Sequence, residues 1–292
     1  MKTFFLAAGL GTRLRPFTET TAKPAIPFLG LPQILYPYFI SQELGSDSFI
    51  YNTHHNPESV NNVFKTFNIP AVSHFEEKIL NSGGGLCHAR KSLIDEEHFL
   101  LMNADTLFIY DKPDIIKTIL KQHISENRLA TLFTISKDGC GLDFTGLQAD
   151  QNKNLIQAGL IKDLYPDLAD EEKKLKSNNF SHFIGFYIFS NRIFSYLSNQ
   201  PDNLIYDILL KIPKSSNPNS TDQKICIEKL ENVSWYELGT IKDYKTSHLM
   251  LSKLTESDKD SSFTRTHTYF KTKHPDLYPF QNKIEQQILR SI

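Results

Sequence analysis

Cysteine is scarce, with three residues in a chain of 292. Cys87, Cys140 and Cys226 lie far apart and in no C-x-x-C or Cys/His spacing, so neither a disulfide framework nor a structural zinc site is expected. An excess of one charge is also missing: 32 Lys and Arg stand against 33 Asp and Glu, a net of −1. That balance leaves no electrostatic footprint for nucleic acid or an acidic membrane surface. No apolar run approaches the roughly 20 residues of a membrane span. The ten histidines are scattered, and the adjacent pair His54-His55 points to opposite faces of an extended chain. They are read as structural or surface residues.

What is present is enough apolar sequence, 40%, for a sizeable core in one large α/β domain or two small ones. The opening MKTFFLAAGLGTRLR admits two readings. A lysine, a short apolar run and small residues imitate a secretory signal, but the run is only about eight residues long and Arg13 and Arg15 follow at once. A buried strand breaking into a glycine turn fits better, and three free thiols fit a reducing compartment. The expected location is cytoplasmic.

For about 250 residues the pattern alternates strand and helix. Strands are expected at KTFFLAA, DSFIYNT, IPAVSHF, EHFLLMNAD and LATLFTIS. Helices are expected at LPQILYPYFISQELG, closed by Gly45, at NPESVNNVFKTF with Asn56 as N-cap, and at DKPDIIKTILKQHI. NSGGGLCHAR is a glycine loop that opens a further helix. This rhythm predicts βαβ units and a Rossmann-like three-layer α/β/α sandwich with a mainly parallel mixed sheet. The rhythm changes at about 139–190, where short extended pieces flank DLADEEKKLKSNN before the strong strand SHFIGFYIFS. Short strands at 224–228 and 233–235 and a helix at 241–254 follow. The expected division is a domain over 1–250, with an inserted region at about 139–190, and a tail over 251–292. ESDKDSS reads as a solvated linker and the last thirty residues, ending NKIEQQILRSI, as an appended helix. The tail is long enough to pack on the domain or to join two subunits into a homo-oligomer.

Three loops at the carboxyl ends of strands carry chemistry, where open α/β sheets bind ligands. In AAGLGTRLR two glycines let backbone approach a ligand, bare N–H groups form an anion-binding concavity, and Arg13 adds a bidentate phosphate donor. No G-K-[ST] follows, so this is not a P-loop. SGGGL leaves no side chain between backbone and a bound plane such as a nucleobase. MNAD ends an apolar strand in Asp105, a carboxylate placed to hold Mg²⁺ over phosphates. Each has a plain alternative: a tight turn, a flexible turn, a turn-capping carboxylate.

Taken together, LAAGLGTRLRPFT, KPAIPFLGLPQI, GGG, NADT and WYELGT occur in an order and spacing that resembles the sugar-1-phosphate nucleotidyltransferases over roughly residues 1–250. The motif GxGTRLxPxT…KPxxPxxG is nearly complete. NTHHNPE and LNSGGGL look most like the branch with N-acetylmuramate-1-phosphate uridylyltransferases and mannose-1-phosphate guanylyltransferases. The resemblance implies the reaction of an NTP with a sugar 1-phosphate to NDP-sugar and pyrophosphate, with Mg²⁺ as cofactor and no nucleic-acid or membrane partner. It implies that Leu6, Ala7, Ala8, Gly9, Gly11 and Thr12 line the nucleotide and that Arg13 stabilises the departing pyrophosphate. Lys23 neutralises the α-phosphate and the incoming phosphate, Asp105 binds metal, Gly83, Gly84 and Gly85 floor the base, and Asn103 and Gly185 sit beside the sugar.

Two departures from the family pattern stand out. WYELGT offers Glu237 where the second metal carboxylate is usually Asp, and an extra methylene moves that group by about 1.5 Å against roughly 2.1 Å octahedral bonds. No E-K-P precedes the sugar strand; Lys173 falls about where its lysine belongs, although a solvated charged helix explains it equally well. Glu76 and Glu77 precede the glycine loop where the family reads the base. A carboxylate there suits guanine, while the branch resemblance favours UTP. A non-catalytic nucleotide-sugar-binding homologue and a cytidylyltransferase for a non-sugar phosphate stay open as alternatives.

Overall fold

The computed structural model describes residues 1–213, 223–254, 260–280 and 283–291. Its strands are β1 (Lys2–Leu6), β2 (Pro27–Phe28), β3 (Leu31–Pro32), β4 (Ser48–Thr53), β5 (Ala71–Phe75), β6 (His98–Asn103), β7 (Leu107–Ile109), β8 (Ala130–Ile135), β9 (Gly146–Ala149), β10 (Leu155–Gly159), β11 (Phe180–Ser190), β12 (Ile225–Lys229) and β13 (Ser234–Tyr236). Its α-helices are α1 (Leu35–Glu43), α2 (Pro57–Thr66), α3 (Asn81–His88), α4 (Arg90–Leu93), α5 (Asp114–Ser125), α6 (Ile161–Leu164), α7 (Asp170–Ser177), α8 (Ile241–Leu251), α9 (Ser262–Lys273) and α10 (Lys283–Arg290).

β1 lies between β4 and β6, parallel to both, and β5 extends this parallel half beyond β4. The eleven-residue β11 runs antiparallel to β6, β8 and β9, and β12 joins β8 in parallel. Alternate side chains feed two cores on opposite faces, as strand geometry requires. Phe5, Tyr51, Met102 and Phe186 enter one core with α1 and α2, while Phe4, Ile50, Leu101 and Tyr187 enter the other beside Leu86 and Leu93. The fold is thus the expected α/β sandwich with a mixed, mainly parallel sheet.

Several local expectations shift. The first strand ends at Leu6, because the Ala7 amide leaves the ladder and donates to Asn52 Oδ1 at 2.7 Å. The helix expected from Leu31 starts at Leu35, since β2 and β3 pair as a hairpin whose turn takes Leu29 and Gly30 through positive φ. Asn56 precedes α2 but does not cap it. Its backbone is left-handed, and its amide donates to the carbonyls of Thr18 and Glu19 instead. β7 pairs antiparallel with β13 in a small separate sheet that the sequence pattern does not reveal.

The tail packs on the domain. Tyr36 stacks on Phe263 with ring centroids 5.7 Å apart, and Phe263, Phe270 and Ile288 belong to the larger core. Arg265 forks onto Glu43 at 2.7 and 3.0 Å. Of the expected linker ESDKDSS, residues 256–259 lie outside the described residues. The last two are not solvated: Ser261 and Ser262 are buried, and Ser261 caps α9. Among the described residues, no helix is long and apolar enough to cross a membrane.

Candidate active site

The turn after β1 is fixed by Gly11, whose φ of 61° suits glycine and whose missing Cβ would stand 2.8 Å from Thr18 Cγ2. Thr18 in turn donates to the Gly11 carbonyl at 2.9 Å. The turn borders a cavity of about 330 Å³ lined by Leu6, Ala7, Ala8, Gly9, Gly11, Thr12 and Arg13, with Asn52, Glu76, Ile79, Asn81 and Ser82 on its other walls. A Cβ at Gly9 meets no protein atom.

A second cavity, about 160 Å³, lies between the end of β6, β11 and β13 and is lined by Asn103, Thr106, His182, Gly185, Trp235 and Glu237 among others. A register shift in β11 between Phe183 and Tyr187 builds its wall, which is what a bulge does: it bends the strand and re-aims side chains. Gly185 sits in that bulge at φ 78°, where a Cβ would approach Asn103 Nδ2 to 2.6 Å. Thr106 Oγ1 donates to the Ile184 carbonyl and locks the bulge against the turn that carries Asp105.

Arg13, Lys23 and Asp105 line both cavities. Lys23, whose side chain is 10% exposed, holds Asp105 Oδ2 at 2.7 Å. Burial raises the Asp105 carboxyl, but the Lys23 ammonium, with help from Arg13, more than offsets this and holds it below the usual carboxylate range. Arg13 Nη2 lies 3.9 Å from Glu237 Oε1. Gly239 makes room for that pair, since a Cβ there would stand 2.2 Å from Glu237 Oε1 and 2.7 Å from Arg13 Nη2.

Of the other expected residues, Glu76 lines the larger cavity, whereas Glu77, Lys173 and Gly83 to Gly85 line neither. Gly83, Gly84 and Gly85 are inside α3 and line neither cavity. Their missing Cβ atoms would meet the Asp202 carbonyl at 2.9 Å, the Gln200 carbonyl at 2.2 Å and Glu76 Oε1 at 2.7 Å, respectively. The glycines thus serve helix packing, and Asn81 and Ser82 take the place on the cavity wall. Glu76 is 1% exposed and already accepts from the Asn52 amide at 2.7 Å and the Leu80 N–H at 3.0 Å. Glu77 is exposed and lines neither cavity. Lys173 is on α7, 4.0 Å from Asp170, and also lines neither. Sequence reasoning missed Asn52, His182 and Trp235, although Trp235 stands in the quoted WYELGT.

A family model described as nucleotidyl transferase matches residues 2–253. The chain belongs to that family. It is 23% identical over 274 residues to a probable mannose-1-phosphate guanylyltransferase 2 of Oryza sativa subsp. japonica, covering 91% of this chain and 69% of that one. It is 26% identical over 260 residues to a UTP–glucose-1-phosphate uridylyltransferase of Synechocystis sp., covering 84% of this chain and 61% of the relative. Among solved structures, a UDP-glucose pyrophosphorylase complexed with UDP-glucose aligns with a TM-score of 0.66 at 19% identity, over 86% of this chain and 98% of that one. At that identity the likeness speaks for the fold. Family and relatives together support an enzyme of nucleotidyl transfer to a sugar 1-phosphate.

Proposed function

We propose that the protein transfers NMP from UTP or GTP to a sugar 1-phosphate, releasing pyrophosphate and an NDP-sugar. What carries this reading is that the two cavities meet at two cations and a carboxylate, Arg13, Lys23 and Asp105. The larger cavity takes the nucleotide and the smaller one the sugar phosphate. An ionised phosphate oxygen of the sugar phosphate attacks the α-phosphorus. The bond from that phosphorus to the bridging oxygen breaks, and its electron pair leaves on pyrophosphate. The nucleophile carries no proton to remove, so no general base is required, and catalysis rests on positioning and charge neutralisation. Lys23 bridges the two phosphates at the cavity junction, and Arg13 meets the charge that develops on the leaving group.

Asp105 and Glu237 line one cavity and offer hard oxygen donors. Among the described residues no third His, Cys, Asp or Glu joins them. That set fits Mg²⁺ in nucleotide sites, where one or two carboxylates bind and phosphates and water complete the shell. When bound, the ion neutralises phosphate charge. Lys23 pairs with Asp105 at 2.7 Å and Arg13 with Glu237 at 3.9 Å.

Glu76 lines the larger cavity, and each of its oxygens accepts one hydrogen bond within the protein, which leaves the choice between UTP and GTP open. Three free thiols, at Cys87, Cys140 and Cys226, support the cytoplasm as its compartment.

A pyrophosphate-release screen of the four common NTPs plus dTTP against a panel of sugar 1-phosphates, with Mg²⁺ or Mn²⁺, tests the reading. Turnover with at least one sugar phosphate is expected. CTP turnover confined to a non-sugar phosphate, or NDP-sugar binding without turnover, overturns it.

A further inference from the structure

We propose that Glu285, on the tail, is a positioning residue for Lys23. Its carboxylate clamps the turn of the β2–β3 hairpin and so fixes the segment that presents Lys23 to the two phosphates. The proposal rests on the nucleotidyl-transfer reading above. The tail follows the residues that the family model matches, yet it reaches the site through this hairpin. Lys23 begins the short helical turn Lys23–Ala25, which runs almost directly into β2. The hairpin then closes on its own start. The Gln33 N–H donates to the Ile26 carbonyl at 3.1 Å, and the Ile34 N–H to the Pro24 carbonyl at 2.9 Å. Residues 23–34 therefore form one closed loop, with Lys23 at its base and Leu29-Gly30 at its tip.

The tip carries the clamp. Leu29 stands at φ 48° and Gly30 at φ 79°, and a positive φ is unfavourable for leucine. Consecutive backbone N–H groups in such a turn form a concavity that takes an anion. Here the anion is Glu285, which accepts from the Leu29 N–H at 2.5 Å on Oε1 and from the Gly30 N–H at 3.3 Å on Oε2. The Glu285 side chain is 14% exposed, with His248 Nε2 3.4 Å away. The rest of the hairpin backbone is held from the same side. The Phe280 N–H donates to the Gly30 carbonyl at 2.7 Å. The Tyr36 hydroxyl donates to the Phe28 carbonyl at 2.7 Å and meets His267 Nε2 of α9 at 3.1 Å. Among these contacts Glu285 supplies the charge-assisted pair, the stronger kind of hydrogen bond. An ammonium that must meet two phosphates at once is sensitive to such a clamp, because a misplacement of 1 Å can cost about 100-fold in rate.

The test is a double-mutant cycle read by steady-state kinetics well below the thermal midpoints, on the substrates that the screen identifies. Glu285→Ala is expected to lower kcat about tenfold, with KM for the NTP changed less than twofold. In a Lys23→Ala background the same substitution should change kcat less than twofold, because the ammonium it positions is gone. Glu285→Gln keeps one acceptor oxygen and should lose only about threefold; it supplies the same cycle if Glu285→Ala does not fold. Arg265→Gln, which breaks the tail's fork onto Glu43 away from the hairpin, should leave kcat within twofold. Equal losses with and without Lys23, or kcat within twofold of wild type in both Glu285 variants, overturn the proposal while wild-type turnover leaves the nucleotidyl-transfer reading standing. A loss in Arg265→Gln equal to that in Glu285→Ala also overturns it, because it reports tail docking in general. No turnover by wild type removes the reading and this proposal together.

Discussion

The two cavities are built by different means. The larger cavity takes seven of its sixteen lining residues from one contiguous stretch, Leu6 to Arg13, at the end of a central parallel strand, where glycines and backbone shape the wall. The smaller cavity is assembled chiefly from the end of β6, the bulge in β11 and the segment at β13, three regions far apart in sequence. A contiguous backbone cradle tolerates little change of its own residues. A side-chain wall drawn from separate strands is open to substitution one position at a time.

The strongest way to break this contrast is at the junction that both sides share. Asp105→Ala should reduce pyrophosphate release by about 10²–10³-fold, the scale seen when a preorganised charged partner is removed, with both cavities otherwise intact. A loss below tenfold means the junction does not belong to the chemistry.

Glycines sharpen the contrast further. Gly84→Ala forces a Cβ to within 2.2 Å of the Gln200 carbonyl, and overpacking of this kind costs about 1–3 kcal/mol, visible as a thermal midpoint lower by several degrees. Gly9→Ala meets no protein atom and should leave the midpoint within about one degree, while weakening NTP binding. Calorimetry on the two variants separates glycine used for packing from glycine used for access.

Acid should act at buried histidines both outside the cavities and, through His182, which burial lowers to about 4, on the wall of the smaller one. Burial lowers His123 to about 3 and His267 to about 4, with neighbouring His98, Arg128 and Arg192 adding to the first. Below about pH 6.5 the unfolded chain takes up protons that these folded sites refuse. Stability is then lost as pH falls from about 6.5 toward 4, by up to about 1.4 kcal/mol per pH unit for each histidine. Midpoints measured between pH 7 and 5 should fall, and fall less steeply in His123→Phe.

The smallest effect is expected at Lys173. Its partner is Asp170 at 4.0 Å on the same helix, so Lys173→Ala should change KM for the sugar phosphate less than twofold. A tenfold rise would return it to the sugar side.

The sequence was most legible where neighbours along the chain remain neighbours in space. FFLAAGLGTRLR and MNAD announce a buried strand, a glycine turn and a carboxylate, and backbone hydrogen bonding keeps each at the sheet end. SGGGL signals close approach without naming what approaches. The carbonyls of Gln200 and Asp202, from a segment more than 100 residues away, stand against Gly84 and Gly83. Glu76 does line the larger cavity, and what the sequence leaves out is its contact with Asn52 from the adjacent strand. His182 gave no signal at all. Its contacts with Trp235 and Phe144 join segments far apart in sequence, beside a bulge that alternation of apolar residues does not encode. The tail was half legible: one appended helix was expected where α9 and α10 stand, and its docking on Tyr36 and Glu43 is a tertiary choice.

The central claim is that chemistry occurs where the two cavities meet, and Lys23→Ala tests it most directly. At saturating concentrations of both substrates, kcat for pyrophosphate release should fall by about 10²-fold or more, while calorimetry finds the NTP still bound within about tenfold of wild type. A kcat within twofold of wild type would contradict the account.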